Sequence, residues 1–482
     1  MSGRQIMIRK DTEQVIPPEL KALELQIEQL PQTPFSAWKR LSVRLEKRPL
    51  LDWLRAQTQT FKFCWKNRSG QDFRLGWGIA QEFHARSYPS LQALFSELQT
   101  TLQSAPEDLR AFGGTAFPIS KNSNFPPHPA WDEMETSRWV IPRFEITRKA
   151  QNFYLNLNFY DQNQASRHEI IKLIQAVQPP SPDSELPLPD LQLLKHQPDQ
   201  REWSQQVAEM LKHFSEHKLD KAVLARVSHF QASTALSGIR LLKLLLEAEL
   251  PAYLYYFEWP QGTIFAGLSP ERLYQRKGVS LRTEALAGTR RSSLDQTLHH
   301  RLENELLGSD KDRLEHRMVT DFLNRVLKPF STQSPEVEPL RLIQSGPVQH
   351  LYQPIQAQLK VLPNDADLIE ALHPTPAVAG LPRPAALEAL EKTQALFRGW
   401  YSSPVGWMNA SQTEFAVALR CVLVQSDQLR FYTGAGIVKG SVAEAEWEEL
   451  NAKLETLLRL FKEHPPERIS PRAWLSPCAG QC

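Results

Sequence analysis

Strand-like segments follow one another in this chain with only short turns between them. Three successive examples are Ala252–Trp259, Thr263–Leu268 and Ser280–Ala285. Parallel strands need a long crossover connection, whereas antiparallel strands need only a turn. The segment Asn152–Phe159 also alternates polar and apolar residues, which is typical of a half-buried strand. This order of segments predicts an α+β fold built on antiparallel sheets.

Helices are predicted where apolar residues recur at helical spacing. The predicted helices are Leu91–Gln103, Ile239–Ala248, Leu294–Leu327 and Ala443–Lys462. In the longest of them an apolar stripe recurs every four residues, at Leu314, Met318, Phe322 and Val326. The stripe predicts the face that this helix buries.

A proline-rich stretch between Gln178 and Gln200 is the clearest punctuation in the chain. Its prolines are Pro179, Pro180, Pro182, Pro187, Pro189 and Pro198. Proline removes a backbone donor and stiffens the chain, so the stretch predicts a linker or an extended surface crossing. It separates an N-terminal region, 1–190, from a region at 200–465, which is followed by a tail at 466–482.

Composition excludes several classes of function. The formal net charge is only +2 over 482 residues, whereas a nucleic-acid-binding protein needs a strong basic excess. No apolar run approaches the length of a membrane span, and the N-terminal residues show no secretory signal. The four cysteines are scattered, which favours a cytoplasmic protein. Cys478 and Cys482 in the tail have no neighbouring ligands that would suggest a metal site.

Two single residues are candidates for proton transfer. Lys221 opens the strand-like segment Lys221–Val227. It is either a solvated strand end or a buried lysine that loses its proton and acts as a base. Glu271 follows Pro270 at the end of an apolar run. It is either a surface loop residue or a general acid whose pKa is raised by burial.

Two acidic stretches are candidates for a cation site. Glu315 lies in the charged run Ser309–Arg317, which could also be a solvated helix face. Glu446 and Glu449 are three residues apart and therefore share one face of a helix, with Lys453 one turn later. They form either an exposed Glu–Lys pair or a set of oxygen ligands for a hard cation such as magnesium.

A glycine-containing segment, Gly434–Gly440, follows a predicted strand. It lacks the GxGxxG pattern, and the acidic helix that follows would repel a pyrophosphate, so a dinucleotide site is not favoured. A turn that brings the backbone amides of Gly434 and Gly436 close to an anionic ligand is the better interpretation.

Taken together, these stretches resemble the chorismate-utilising enzymes, which include isochorismate, anthranilate, aminodeoxychorismate and salicylate synthases. The matching segments are Lys221–Val227, Phe265–Leu273, Arg282–Thr289, Ser309–Glu315, His373–Arg383, Val417–Arg420, Thr433–Val438 and Glu446–Lys453. Three earlier segments match more loosely: Gly76–Ala80, Ala111–Phe117 and Trp139–Ile146. The resemblance implies two large packed antiparallel β-sheets with helices outside, and an N-terminal region woven into the same unit as the catalytic part at 200–465.

Two positions indicate a branch of this family. Anthranilate-type enzymes, which use ammonia, carry glutamine where this chain has Lys221. Aminodeoxychorismate synthases carry a nucleophilic lysine where this chain has Ala287. Both positions favour water as the nucleophile. The resemblance therefore implies an isochorismate synthase of the menaquinone or phylloquinone type, acting on chorismate without a glutaminase subunit. The alternatives are a salicylate synthase and an inactive relative that only binds.

The resemblance also implies a role for each candidate residue. Lys221 would be the base and Glu271 the acid. Glu315 and Glu449 would bind Mg²⁺ directly, with Glu446 beside the metal and acting through water. Arg420 would bind the pyruvyl carboxylate of the substrate, helped by Lys453 and by the backbone amides near Gly434 and Gly436. Thr289 and His373 would line the pocket for the ring.

Overall fold

The structure, a computed structural model, describes residues 16–31, 36–45, 50–58, 60–118, 128–180, 187–216, 218–292, 295–345, 348–394 and 396–462. The tail at 466–482, with Cys478 and Cys482, lies outside these ranges, as does the middle of the proline-rich stretch at 181–186.

The strands in the described ranges are β1 Ala37–Leu45, β2 Lys62–Lys66, β3 Phe73–Ala85, β4 Ala111–Thr115, β5 Ser137–Lys149, β6 Asn152–Asp161, β7 Leu191–Gln197, β8 Lys221–Ala232, β9 Tyr253–Glu258, β10 Thr263–Ser269, β11 Arg272–Lys277, β12 Ser280–Arg291, β13 Glu336–Val337, β14 Arg341–Ser345, β15 Val348–Gln358, β16 Gly380–Leu381, β17 Pro404–Met408, β18 Gln412–Val417, β19 Cys421–Gln425 and β20 Gln428–Val438.

The α-helices are α1 Pro18–Glu28, α2 Leu50–Ala56, α3 Leu91–Gln103, α4 Gln164–Gln175, α5 Gln200–Ser215, α6 Gly238–Glu247, α7 Gln296–Gly308, α8 Asp310–Leu327, α9 Asp365–Leu372, α10 Arg383–Thr393 and α11 Ala443–Leu458. Within the described part of the chain, none of them combines the length and the apolar character that crossing a membrane would need.

Every strand pairing is antiparallel, and the pairings join all the strands into one hydrogen-bonded sheet. One limb runs in the order β7, β8, β20, β19, β10, β9, β2 and β3. The other runs in the order β5, β4, β17, β18, β11, β12 and β15. The long β3–β5 pairing connects the two limbs. The predicted α+β fold on antiparallel strands is confirmed.

The two limbs fold over and bury an aromatic core between them. Phe63 on β2 packs against Phe112 on β4, with ring centroids 4.2 Å apart. Phe257 on β9 meets Trp400, which precedes β17, at 6.0 Å. These rings belong to one buried cluster with residues of both limbs. The packed antiparallel layers expected from the family are therefore two limbs of one continuous sheet.

Helices cover the outer faces of both limbs. Apolar side chains of α5, α10 and α11 pack on the outer face of β8 and β20. Those of α3, α8 and α9 pack on β11, β12 and β15. A third cluster joins α1, α2, α4 and α6 to the sheet. These helices cover the apolar faces of the sheet. Two of them, α8 and α11, also carry the charged residues Glu315, Glu446 and Glu449.

The sequence on both sides of the proline-rich stretch contributes to the same sheet. Strand β2 pairs with β9, and β4 pairs with β17. The stretch itself contains β7, which pairs with β8 and exposes Leu193 and Leu194. Hydrogen-bonded ladders thus cross between the N-terminal region and the remainder of the described chain.

The predicted long helix from Leu294 to Leu327 is wrong, because the chain breaks at Ser309 between α7 and α8. The Ser309 side chain accepts a hydrogen bond from the backbone N–H of Asp312 at 3.3 Å and so caps the second helix.

The predicted apolar stripe of this helix is wrong at its N-terminal end, although Val326 packs against the core. Leu314 is 53% exposed, and of the four stripe residues only Phe322 is buried. The buried face instead includes His316, Val319 and Leu323. One turn of an α-helix contains about 3.6 residues. Side chains spaced four residues apart therefore rotate around the helix axis by about 40° at each step, and a long stripe leaves the packed face.

The helices α3 and α6 match their predicted segments to within one residue at each end. The last predicted helix, Ala443–Lys462, is α-helical only to Leu458 and continues as a short 3₁₀ turn. A tighter last turn is common where an α-helix ends.

Replacing Phe63 with alanine should destabilise the protein by about 3–5 kcal/mol, because it leaves a cavity between the limbs of the sheet. The measurement is the midpoint of chemical unfolding. Replacing the exposed Val361 with alanine is the control and should change stability by less than about 0.5 kcal/mol. Equal effects of the two substitutions would contradict the packing of the limbs.

Candidate active site

A cavity of about 650 Å³ opens where β8, β12 and β20 approach the helices α8 and α11. Its walls carry both signs of charge. The charged and titratable lining residues central to its chemistry are Glu271, Glu315, Glu446 and Glu449, with Arg290, Lys311, His350, Arg420 and Lys453. Such a mixture suits a small ligand that carries negative charge and needs proton transfer.

Lys221 and Glu315 form an ion pair at the inner wall. The Lys221 Nζ lies 2.6 Å from Glu315 Oε1, although the residues are 94 positions apart. The Lys221 side chain is only 1% exposed, and Lys221 is not among the residues that line the cavity, which it meets through Glu315. Burial favours the neutral carboxyl of Glu315, but the Lys221 ammonium outweighs this effect and lowers the pKa of Glu315.

Gly436 makes room for this ion pair. It lies on β20 beside β8, opposite Val223. A Cβ atom at this position would lie 3.1 Å from Lys221 Cε and 3.4 Å from Glu315 Oε1. The first contact is tighter than usual and would push the Lys221 side chain by a few tenths of an ångström, whereas the second is close to ordinary van der Waals contact. Glycine therefore leaves the space that the ion pair occupies.

Glu271 is buried between β10 and β11, with 5% of its surface exposed. Its backbone N–H donates to Ser269 Oγ at 3.2 Å, and its carbonyl accepts from the N–H of Val417 at 3.1 Å. Burial, together with the negative charge of nearby Glu284, raises the pKa of Glu271 to about 8. The group is therefore protonated at neutral pH.

The acidic face of α11 forms another wall. Glu446 is buried and accepts a hydrogen bond from the Ser441 hydroxyl at 2.8 Å. Burial, with Glu449 one turn away, raises the pKa of Glu446. The half-exposed Glu449 pairs with Lys453 at 2.7 Å. Lys453 also donates to the carbonyl oxygen of Gly434 at 2.8 Å, which ties the helix to β20.

Arg420 reaches the cavity from the turn between β18 and β19. Its φ of +51° places its backbone in the left-handed region. Its guanidinium lies 3.5 Å from His350 Nε2. Burial, with the nearby charge of Arg420, lowers the pKa of His350 to about 3, so this histidine is neutral. Together they provide one cationic donor and one neutral polar ring at the wall.

His373 and Thr289 are placed differently from the other predicted residues. His373 is not among the residues that line the cavity. Its Nε2–H donates to the Ser402 carbonyl at 2.9 Å, and its ring meets Phe117 edge to face. The backbone of Thr289 pairs with His350 across β12 and β15, but its side chain is outside the described part of the structure.

Sequence reasoning missed three residues near the site. His350 lines the cavity, yet it lies in none of the recognised segments. Glu284 lies within the segment Arg282–Thr289 and was not singled out, although a carboxylate in an apolar strand is a signal. Arg68 gives no local signal, because its partners come from strands far away in sequence.

Gly436→Ala should lower activity while leaving the melting temperature nearly unchanged, because its Cβ would press on Lys221 and Glu315 rather than on the core. We expect a loss of about tenfold or more in turnover, the scale on which small misplacements of reacting groups act. The control is Gly308→Ala, where a Cβ meets nothing within 4 Å. Equal turnover in both variants would refute the tight fit at Gly436.

Comparisons with known proteins identify the family. The family described as chorismate binding enzyme matches residues 26–462. Isochorismate synthase MenF of Escherichia coli strain K12 is 31% identical over 422 residues, which cover 85% of this chain and 90% of that protein. Isochorismate synthase MenF of Bacillus subtilis strain 168 is 28% identical over 356 residues, which cover 72% of this chain and 73% of that protein.

A solved structure gives the same result. That structure is MenF, described as the menaquinone-specific isochorismate synthase from Escherichia coli, and it superposes with a TM-score of 0.79 at 28% identity. The match covers 92% of this chain and 99% of the other. The resemblance seen in the sequence is confirmed, and the chain belongs to the chorismate-binding enzyme family.

Proposed function

We propose that this chain is an isochorismate synthase, which converts chorismate to isochorismate with Mg²⁺ bound. The observation that carries the proposal is one cavity lined by the buried, protonated Glu271 and by Glu315, whose carboxylate is paired with the buried Lys221. The relatives named isochorismate synthase support the same reaction.

The reaction adds water at ring carbon C2 while the hydroxyl at C4 leaves. The incoming water must lose a proton, and the departing hydroxyl must gain one. An enzyme therefore needs a base and an acid at different points around the ring. Lys221 and Glu271 are candidates for these two roles, and they come from different strands of the sheet.

Lys221 is the proposed base. It does not itself line the cavity but meets it through Glu315, with which it is paired as an ammonium. It must therefore give up a proton before it can take one from the attacking water. Glu271 is the proposed acid, and its pKa of about 8 keeps the proton available at neutral pH. It donates this proton to the C4 hydroxyl, which leaves as water.

The cationic groups hold the two carboxylates of the substrate. Arg420 offers a planar fork that matches the pyruvyl carboxylate. Lys453 and the backbone near Gly434 and Gly436 support that end of the substrate. For the ring pocket we retain Thr289, which lies opposite His350.

We propose that His373 supports the ring pocket without contacting the substrate. Its hydrogen bond to the carbonyl of Ser402 and its contact with Phe117 anchor the segment that precedes Ala377, a residue of the wall. His373 therefore supports the shape of the pocket, and His350 contributes the imidazole that lines it.

The residues present fit a magnesium ion. Glu315, Glu446 and Glu449 reach one cavity from two helices, and burial together with the charge of Glu449 raises the pKa of Glu446. Within the described ranges no group of three His, Cys, Asp or Glu side chains is arranged to hold a metal ion. Magnesium typically takes only one or two protein carboxylates and fills its shell with water and substrate. When bound, the ion would neutralise the substrate's ring carboxylate. Glu315 and Glu449 would hold it, with Glu446 acting through water.

The nucleophile is water rather than ammonia. Lys221 replaces the glutamine of ammonia-using relatives, and Ala287, which lines the cavity, carries no amine where aminodeoxychorismate synthases have a nucleophilic lysine. No glutaminase subunit is needed. The description of one relative as menaquinone-specific supports a place in quinone synthesis.

The direct test is to incubate the purified chain with chorismate and Mg²⁺ and to separate the products. We expect isochorismate, with no increase in rate on adding glutamine or ammonium. Salicylate with pyruvate would identify the salicylate synthase alternative, and an aminated product would place the chain in the ammonia-using branch. No conversion by folded protein would support an inactive, binding relative.

Lys221→Ala should lower turnover by about a hundredfold or more, because it removes the base. Leaving Glu315 without its partner should also cost about 3–5 kcal/mol of stability, so turnover must be measured per folded molecule. Lys62→Ala is the matched control, because Lys62 is also a buried lysine paired with a glutamate, Glu258, but lies outside the cavity. Its turnover per folded molecule should stay near that of the wild type. Near-normal turnover in Lys221→Ala would refute the assignment of the base.

Glu449→Gln should raise the Mg²⁺ concentration needed for half-maximal activity by about tenfold or more, the scale on which changes around a metal weaken its binding. Thermal stability without metal should change little, because the side chain is 49% exposed. Glu444→Gln, on the exposed face of the same helix, is the control. If both variants keep the wild-type requirement for Mg²⁺, Glu449 is not a ligand.

A further inference from the structure

A hairpin of the N-terminal region places Arg68 against the site. The loop between β2 and β3 is closed by a hydrogen bond from the N–H of Asn67 to the carbonyl of Asp72 at 3.0 Å. Gly70 has a φ of +69°, a conformation that glycine adopts without strain. The loop therefore has a defined shape, and it directs Arg68 away from its own strands.

Arg68 joins two elements of the catalytic part. Its guanidinium donates to both carboxylate oxygens of Glu284 on β12, and it also donates to the carbonyl oxygen of Pro270 at 2.6 Å. Pro270 immediately precedes Glu271. The guanidinium also lies over the rings of Tyr253 and Tyr352, at 5.3 and 5.9 Å.

Glu284 is a fully buried carboxylate that keeps its charge. Besides Arg68, it accepts a hydrogen bond from the backbone N–H of Arg272 at 2.9 Å, and the guanidinium of Arg272 lies 3.7 Å away. Burial opposes ionisation, but the two arginines outweigh it and lower the pKa of Glu284. A buried carboxylate with this many donors is ionised at neutral pH.

We propose that Arg68 and Glu284 form a positioning clamp. Through the Pro270 carbonyl it fixes the Glu271 turn, which is the segment Ser269–Glu271 between β10 and β11, and it places a permanent negative charge near the Glu271 carboxyl group. The clamp rests on the proposed function, because it assumes that Glu271 is the general acid. Neither residue lines the cavity, so both act through Glu271 and not on the substrate.

The charges around Glu271 determine when it holds its proton. Glu284 on β12 raises its pKa, whereas Lys221 on β8 and Arg68 on the hairpin lower it, and burial adds the largest increase. Arg272 follows Glu271 directly on β11 and is paired with Glu284. Removing the charge of Glu284 would take away its raising effect and leave Arg68 without this partner, so the pKa of Glu271 should fall.

The test is the pH dependence of turnover in Glu284→Gln. Wild-type turnover should decline as the pH rises through about 8, because Glu271 then loses its proton. In the variant the midpoint of this decline should lie about one pH unit or more lower, the size expected for one nearby charge. An unchanged midpoint would overturn the proposal.

Glu414 provides a matched control. It is also a buried carboxylate beside Arg272 and Tyr253, at 3.7 and 3.2 Å, but it makes no contact with Arg68 or the Glu271 turn. Glu414→Gln should keep the wild-type midpoint. A shift as large as that of Glu284→Gln would mean that any loss of buried charge moves the profile, and the clamp would be rejected.

A measurement without substrate separates the clamp from the proposed function. The infrared band of the protonated Glu271 carboxyl, isolated by subtracting the spectrum of Glu271→Gln, should titrate near pH 8 and move to lower pH in Glu284→Gln. If the band moves but no isochorismate forms, the reaction assignment fails and the clamp stands. If isochorismate forms and the band does not move, the clamp is rejected.

Arg68→Lys tests the positioning part and remains available if Glu284→Gln does not fold. Lysine keeps the charge but cannot hold Glu284 and the Pro270 carbonyl with one planar fork. We expect kcat to fall about tenfold or more with little change in KM, because the acid is displaced while the substrate contacts remain. A wild-type kcat in folded Arg68→Lys would overturn the positioning role.

Discussion

The contact between Lys221 and Glu315 is the interaction on which the site depends. An ammonium and a carboxylate 2.6 Å apart at the base of a cavity offset the cost of removing each charge from water. The contact requires β8 and α8 to meet at one point. It also requires Gly436 on β20 to leave the space open. The sheet and the break between α7 and α8 bring these elements together.

The remaining charges form two groups around this contact. On one side, α11 carries carboxylates and Lys453 toward the cavity, where a cation and the substrate's carboxylates would balance them. On the other side, Glu271 is isolated by burial and retains a proton. Water addition needs both conditions in one cavity: a charged region that binds an anion, and a dry position that keeps an acid protonated. The continuous sheet provides both because each limb contributes part of the wall.

Local patterns predicted those parts of the fold that depend on local sequence. Alternating strands, short turns and the helices α3 and α6 follow from periodicity, and so does the antiparallel class. The break at Ser309 was missed because a single serine can either continue a helix or cap a new one, and its neighbours do not decide between them. The exposed position of Leu314 was missed because a four-residue spacing only approximates the helical period.

The candidate site was predictable only where the family pattern marks it. Lys221, Glu271, Glu315 and Arg420 lie in recognised segments; the last three line one cavity, and Lys221 is paired with Glu315. Arg68 could not be found in this way, because its importance arises from contacts with strands more than two hundred residues away. Its contribution depends on the tertiary pairing of β2 with β9 rather than on any local pattern.

The central claim is that this cavity activates water against C2 of chorismate while an acid releases the C4 hydroxyl. The most direct measurement is turnover of chorismate in water enriched in heavy oxygen, with mass analysis of the product. We expect isochorismate with one heavy oxygen, located at C2, formed by the chain alone with Mg²⁺. Isochorismate without the label, or salicylate as the final product, would contradict it.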